Sequence, residues 1–61
     1  MTPSQYRSAL AALSLTQQGA ARFLGVGLRT AHRWATSGPP ESVAKLLRLM
    51  IRLGLKPKDV I

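Results

Sequence analysis

The stretch Thr16-Gln17-Gln18-Gly19-Ala20-Ala21-Arg22-Phe23-Leu24-Gly25-Val26-Gly27-Leu28-Arg29-Thr30-Ala31-His32-Arg33-Trp34 decides the fold. Thr16 carries the side-chain oxygen of an N-cap, so a helix is predicted to start after it and to end near Leu24. Leu15, just before the cap, is placed to staple the entry. Ala20, Ala21 and Leu24 fall on one face and are expected to point inward. Gly19 in the first turn costs ~1 kcal/mol against alanine. Gly25 ends this helix, because the turn that follows needs a positive φ that glycine adopts freely. Past Gly27, an acceptable cap, a second helix is predicted from about Leu28 to Ala35. On its wheel Ala31 and Trp34 point one way, and Leu28, Arg29, His32, Arg33 and Thr36 point the other.

On the N-terminal side, a helix is predicted from Pro3 to Leu13. Thr2 is its N-cap, Pro3 suits the first helical position, and Gln5 completes a capping box. Tyr6, Leu10 and Leu13 form its apolar stripe, with Arg7 and Ser8 off that stripe. On the C-terminal side, Ser37-Gly38-Pro39-Pro40 stops the Leu28 helix. A further helix is predicted from Pro40 to Leu53, with Gly54 as its stop. Its polar residues Glu41, Lys45, Arg48 and Arg52 form one narrow stripe, and nearly everything else from Val43 to Leu53 is apolar. One small core needs only about 100° of that circumference, so apolar surface is left over. Pro57 opens a predicted short fifth turn. Period-2 alternation is absent and β-branched residues are few, which argues against strands. The expectation is an all-α domain of four to five helices over residues 1–61, without repeats or linkers.

Composition narrows function. A chain of 61 residues has a small core, and a metabolite pocket would take much of it. Cysteine is absent, and His32, Glu41 and Asp59 are too few for a closed metal site or an acid/base constellation. The expectation is therefore a protein that is not an enzyme and has no cofactor or small-molecule ligand. Nine Lys and Arg against two acids give a net charge of +7, which points to a polyanionic partner. Six of the nine are Arg, suited to bidentate phosphate and base contacts. The Met1-Thr2-Pro3-Ser4 start lacks the basic and apolar regions of a signal peptide. The Leu46–Leu55 stretch is broken by Arg48 and Arg52 and is too short to span a bilayer. A cytoplasmic, nucleoid-associated protein is expected.

The Thr16–Trp34 segment resembles the helix-turn-helix of the phage repressor/Cro-like (XRE-type) family. The resemblance rests on Gln17 opening the first motif helix, Ala21 where two helices touch, Gly25 in the turn, and Val26, Ala31 and Trp34 as buried positions. Leu24 completes this motif core. The spacing has physical content: Ala21 lets the helices cross closely, Gly25 makes the turn, and Ala31 and Trp34 lock the second helix. The likeness continues through Ser37-Gly38-Pro39-Pro40-Glu41 into the next apolar helix, covering residues 4–53. Leu28, Gly27 and Ala31 depart from the family pattern, which more often has a polar base-reading residue, a Ser or Thr cap and a larger aliphatic residue there.

The resemblance implies a lambda repressor-like DNA-binding fold whose recognition helix, residues 28–35, enters the major groove of double-stranded DNA. It also implies a bacterial or phage-type transcriptional regulator, most simply a repressor. Arg29 and Arg33 suit guanine O6 and N7, His32 a base or phosphate, and Leu28 a thymine methyl. Gln17 at a helix N-terminus suits a phosphate, with Gln18 and Arg22 at the rim and Thr36, Ser37 and the Gly38 amide beyond the recognition helix. Trp34 and Tyr6 read as core rather than stacking platforms, and Phe23 as partly surplus to the inner face. Helix-turn-helix domains commonly bind as two-fold dimers. Leu49, Leu53, Leu55, Val60 and Ile61 form the candidate surface for a homodimer, formed free or only on DNA.

Three other readings compete. An RNA-binding or protein-interaction module can reuse the same fold, though single-stranded RNA favours exposed aromatic platforms that are missing here. A cationic amphipathic membrane binder fits the Pro40–Leu53 helix alone, but three other capped helices argue for a globular domain. An excisionase-like architectural DNA binder would call for strand signals after Gly38, and none is present.

Overall fold

Side-chain caps start the first two helices. Thr2 Oγ1 accepts the Gln5 N–H at 3.1 Å and Gln5 Oε1 accepts the Thr2 N–H at 2.9 Å, closing the capping box of α1 (Pro3–Ala12). Thr16 Oγ1 accepts the Gly19 N–H at 2.9 Å and starts α2 (Gln17–Leu24). α3 (Leu28–Ser37), α4 (Glu41–Leu53) and α5 (Pro57–Val60) complete the order. The computed structural model describes residues 1–60, without the side chain of Val60. The dimer-surface expectation for Val60 and Ile61 thus lies outside the described residues. Among the described residues there is no strand.

Helix boundaries match expectation within a residue, except at the end of α3. That helix takes in Thr36 and Ser37, two residues past Ala35. Gly38 is the actual stop, with φ 96° and ψ 149°, and its N–H donates to the Trp34 carbonyl at 2.9 Å. Only glycine adopts that backbone region readily. Gly38 also lies under the N-terminal segment, where an added Cβ would come within 3.0 Å of the Met1 carbonyl oxygen.

Three helices end the same way. Behind α1, Leu15 N–H bonds to Leu10 C=O at 2.8 Å and Ser14 N–H to Ala11 C=O at 3.0 Å. Behind α2, Val26 bonds to Ala21 and Gly25 to Arg22, at 3.0 and 3.3 Å. Behind α4, Leu55 bonds to Met50 and Gly54 to Ile51, at 2.8 and 3.2 Å. This nested pair is the Schellman motif, which satisfies orphan carbonyls around one left-handed residue. The left-handed residues are Ser14 (φ 59°), Gly25 (φ 70°) and Gly54 (φ 68°). In each case the next residue is apolar and at least half-buried. Leu15 and Leu55 pack on the core. Leu55 was expected on a dimer surface; the motif behind α4 turns it back onto its own chain instead.

α1 and α3 form the centre of the fold: α3 packs against both α1 and α2, and α4 packs against α1. Tyr6, Ala9, Leu10 and Leu13 of α1 meet Ala20, Ala35, Leu47 and Met50 in one cluster. Tyr6 is fully buried, as its spacing predicts, and meets Trp34 edge-to-face with ring centroids 6.3 Å apart and planes at 87°. Trp34 and Phe23 are half-buried and lean on this cluster. Arg7, merely off the apolar stripe in sequence, donates from Nη1 to the Ala35 carbonyl and so ties α1 to α3. Glu41 and Arg48 of α4 lie 3.6 Å apart, an exposed pair of the kind that contributes under about 1 kcal/mol.

Ser14→Gly relieves a side chain held at positive φ, so stability should rise by about 0.5–1 kcal/mol, read as a higher midpoint in thermal unfolding. The Tyr6 hydroxyl has no hydrogen-bond partner among the described residues, and burial raises its pKa above the ordinary 10.0. Above pH 10 the unfolded phenol ionises while the folded one keeps its proton, so stability is lost as pH rises. Urea midpoints at pH 8 and pH 10.5 should show a smaller alkaline loss for Tyr6→Phe than for the parent. The substitution should cost nothing at pH 8.

Candidate nucleic-acid interface

α2 and α3 pack against each other, and the buried residues on both are alanines. Ala20 and Ala21 are buried on α2, and Ala31 and Ala35 are buried on α3. Alanine side chains let helix backbones approach closely, which fixes α3 against both α1 and α2. The inner pair of α3 is thus Ala31 and Ala35, one turn apart. Trp34, expected beside Ala31 on the inner face, is half-buried rather than fully buried: it packs against the core cluster and meets Tyr6 edge-to-face. Leu24 and Val26, also expected inside, are likewise half-buried at the margin of the turn. Gly25 is exposed, and an added Cβ there would meet nothing within 4 Å; its requirement is the positive φ alone.

The seated face of α3 leaves the opposite face outward. Leu28, Arg29, His32, Arg33, Thr36 and Ser37 are all exposed, Leu28 at 49%. Spacings of one, four, five and eight residues from Leu28 place Arg29, His32, Arg33 and Thr36 on one side of the helix. The Thr36 hydroxyl folds back on its own helix, donating toward the Arg33 carbonyl at 3.0 Å and the His32 carbonyl at 3.4 Å. The phosphate contact expected of the Gly38 amide is not supported. Its N–H already serves Trp34, and the residue is half-buried under the chain start. No side chain caps the start of α3 at Gly27.

On α2, Gln18 and Arg22 are exposed and Gln17 is half-buried. The Gln17 amide oxygen is enclosed without a hydrogen-bond partner among the described residues. Thr16 takes up the Gly19 N–H. In an α-helix the first backbone N–H groups lack intrahelical acceptors, so those of Gln17 and Gln18 point out of the helix end.

Charge is segregated along the chain. Residues 1–40 contain four Arg (Arg7, Arg22, Arg29 and Arg33) and no Asp or Glu. The two acids come later and act locally: Glu41 lies against Arg48, and Asp59 Oδ2 accepts the Lys56 N–H at 2.9 Å. Among the described residues, the ion pair within 4 Å is Arg48–Glu41, so Arg22, Arg29 and Arg33 face solvent with no carboxylate beside them. Sequence reasoning placed these arginines outward but missed Ala35 and the Arg7 tie. The four-residue spacing of Ala31 and Ala35 was the available signal for the first. Nothing local signals the second. Among the described residues, no helix is long and apolar enough to cross a membrane.

Compared with family models, with curated proteins and with solved structures, the chain gives no match.

The methyl seat is open to test. Ala31 is fully buried, so Ala31→Leu overpacks the α2–α3 contact and should destabilise by about 1–3 kcal/mol. The exposed Thr36→Leu substitution on the same helix should change stability far less, as read by urea unfolding of both variants.

Proposed function

We propose that the chain is a helix-turn-helix protein of the lambda repressor-like fold that binds double-stranded DNA by sequence. In this reading it acts as a bacterial or phage-type transcriptional regulator, most simply a repressor. One observation carries the reading: α3 is seated by Ala31 and Ala35 and turns Leu28, Arg29, His32 and Arg33 outward together. The major groove is about 12 Å wide and admits a helix. Arg29 and Arg33, one turn apart, reach guanine O6 and N7; Leu28 meets a thymine methyl; His32 donates to a base or phosphate between them.

The surrounding residues suit the backbone. At the start of α2 Thr16 takes up only the Gly19 N–H, which leaves the N–H groups of Gln17 and Gln18 for a phosphate, and the Gln18 and Arg22 side chains extend that contact. Ser37 and Thr36 serve the far end of α3, where the Thr36 hydroxyl exchanges a helix carbonyl for phosphate. The absence of acids in residues 1–40 leaves this surface without a charge that repels the duplex.

Selection of bound sites from a random double-stranded pool tests the proposal. An enriched motif is expected, and its symmetry reports whether one copy or a two-fold pair sits on the site. Arg29→Ala should cost about 1–3 kcal/mol on the selected site and little on random DNA. Equal losses on both would reassign Arg29 to a phosphate. Affinity should fall steeply with salt, with a slope that counts neutralised phosphates. A pool that yields no enriched motif overturns sequence-specific binding.

A further inference from the structure

α4 keeps one flank that the interior does not use. Leu49 and Leu53, one turn apart, are 51% and 61% exposed. Lys45, Arg48 and Arg52 run alongside them, all exposed. Lys45, Arg48, Leu49 and Arg52 line a shallow groove of about 220 Å³. Glu41 offsets only Arg48, at 3.6 Å. Apolar and cationic chemistry therefore share one helix flank, and none of these residues belongs to the outward face of α3.

We propose that this flank docks an acidic amphipathic segment of a partner protein. Such a segment sets apolar side chains at one-turn spacing against Leu49 and Leu53, and carboxylates against Lys45, Arg48 and Arg52. Helix-in-groove recognition uses this pattern of apolar anchors, and complementary charge fixes orientation and excludes wrong partners. A second copy of this chain fits less well. It brings a net charge of +7 to a surface of the same sign, and both its acids are engaged locally, Glu41 by Arg48 and Asp59 by the Lys56 amide. Duplex DNA satisfies the three cations but has no apolar backbone surface for Leu49 and Leu53. An anionic bilayer answers both chemistries. However, interfacial helices present a wide apolar face with Trp or Phe, whereas this flank has two leucines and no aromatic residue, on a helix whose other side is packed on α1.

The test is an NMR titration of the full chain, labelled with nitrogen-15. The probe is a synthetic peptide of Glu and Leu with leucines at i, i+4 and i+7. A scrambled peptide of the same composition is the control. The amides of Arg48, Leu49, Arg52 and Leu53 should shift with the patterned peptide, while those of α3 should not. Leu49→Ser with Leu53→Ser should weaken binding at least tenfold, and so should Arg52→Glu alone. All these sites are exposed, and circular dichroism verifies that the variants stay folded. Equal binding of the scrambled peptide, shifts confined to α3, or no shift on α4 overturns the proposal. So does concentration-dependent self-association that the leucine variant abolishes, which assigns the flank to a second copy. Phosphatidylglycerol vesicles or random duplex DNA shifting the α4 amides where the peptide does not would assign it to a bilayer or to DNA.

Discussion

The close seating of α3 is the constraint on which the molecule depends. A helix with long cationic side chains on one face can hold a fixed orientation only if its other face is anchored. In so small a chain there is little interior to anchor it with. Ala31 and Ala35 anchor it with buried methyl groups that take up little of that interior. Size comes from elsewhere: Tyr6, Leu47 and Met50 are the large side chains fully enclosed among the described residues, and burial of an aliphatic side chain such as Leu47 or Met50 stabilises by about 1.5–3 kcal/mol. Tyr6 joins the two strategies, since its ring lies in the core and its edge meets Trp34 on α3.

Both ends of α3 are held as well. At the start, the left-handed Gly25 and the Val26–Ala21 hydrogen bond set the angle at which the chain enters the helix. At the end, the Ala35 carbonyl receives Arg7 and Gly38 closes the last turn beneath Met1. Arg7 thus differs from its counterparts Arg22, Arg29 and Arg33. It is directed at the fold, while they are directed at solvent, and composition alone treats all four alike.

Much of this was legible in the sequence because it is local chemistry. Thr2 with Gln5, Thr16, Gly25 and Gly54 each act within a few residues, and each stands where the spacing predicts. What escaped was decided by neighbours distant in the chain or by an atypical residue. Ser14 adopts the left-handed conformation with a side chain that gives no warning of it. Thr36 and Ser37 are ordinary turn residues that become helical because the stop lies at Gly38. Leu55 looked surplus until the backbone behind α4 turned it inward. Among the candidate site residues, the outward set on α3 followed from the wheel. The Gly38 amide and the Trp34 position did not, since the first depends on a hydrogen bond back into α3 and the second on its packing against Tyr6 of α1.

The turn between α2 and α3 has a consequence of its own. Its geometry is set by the hydrogen bonds of Val26 and Gly25 to Ala21 and Arg22, all of them backbone to backbone. The turn is thus written into the main chain, and the exposed side chains of Leu28, Arg29, His32 and Arg33 make none of these hydrogen bonds. Those four positions work like interchangeable type in a fixed press. Substitution there can change the chemistry that the outward face of α3 presents without disturbing the frame, so one architecture can carry many different surfaces.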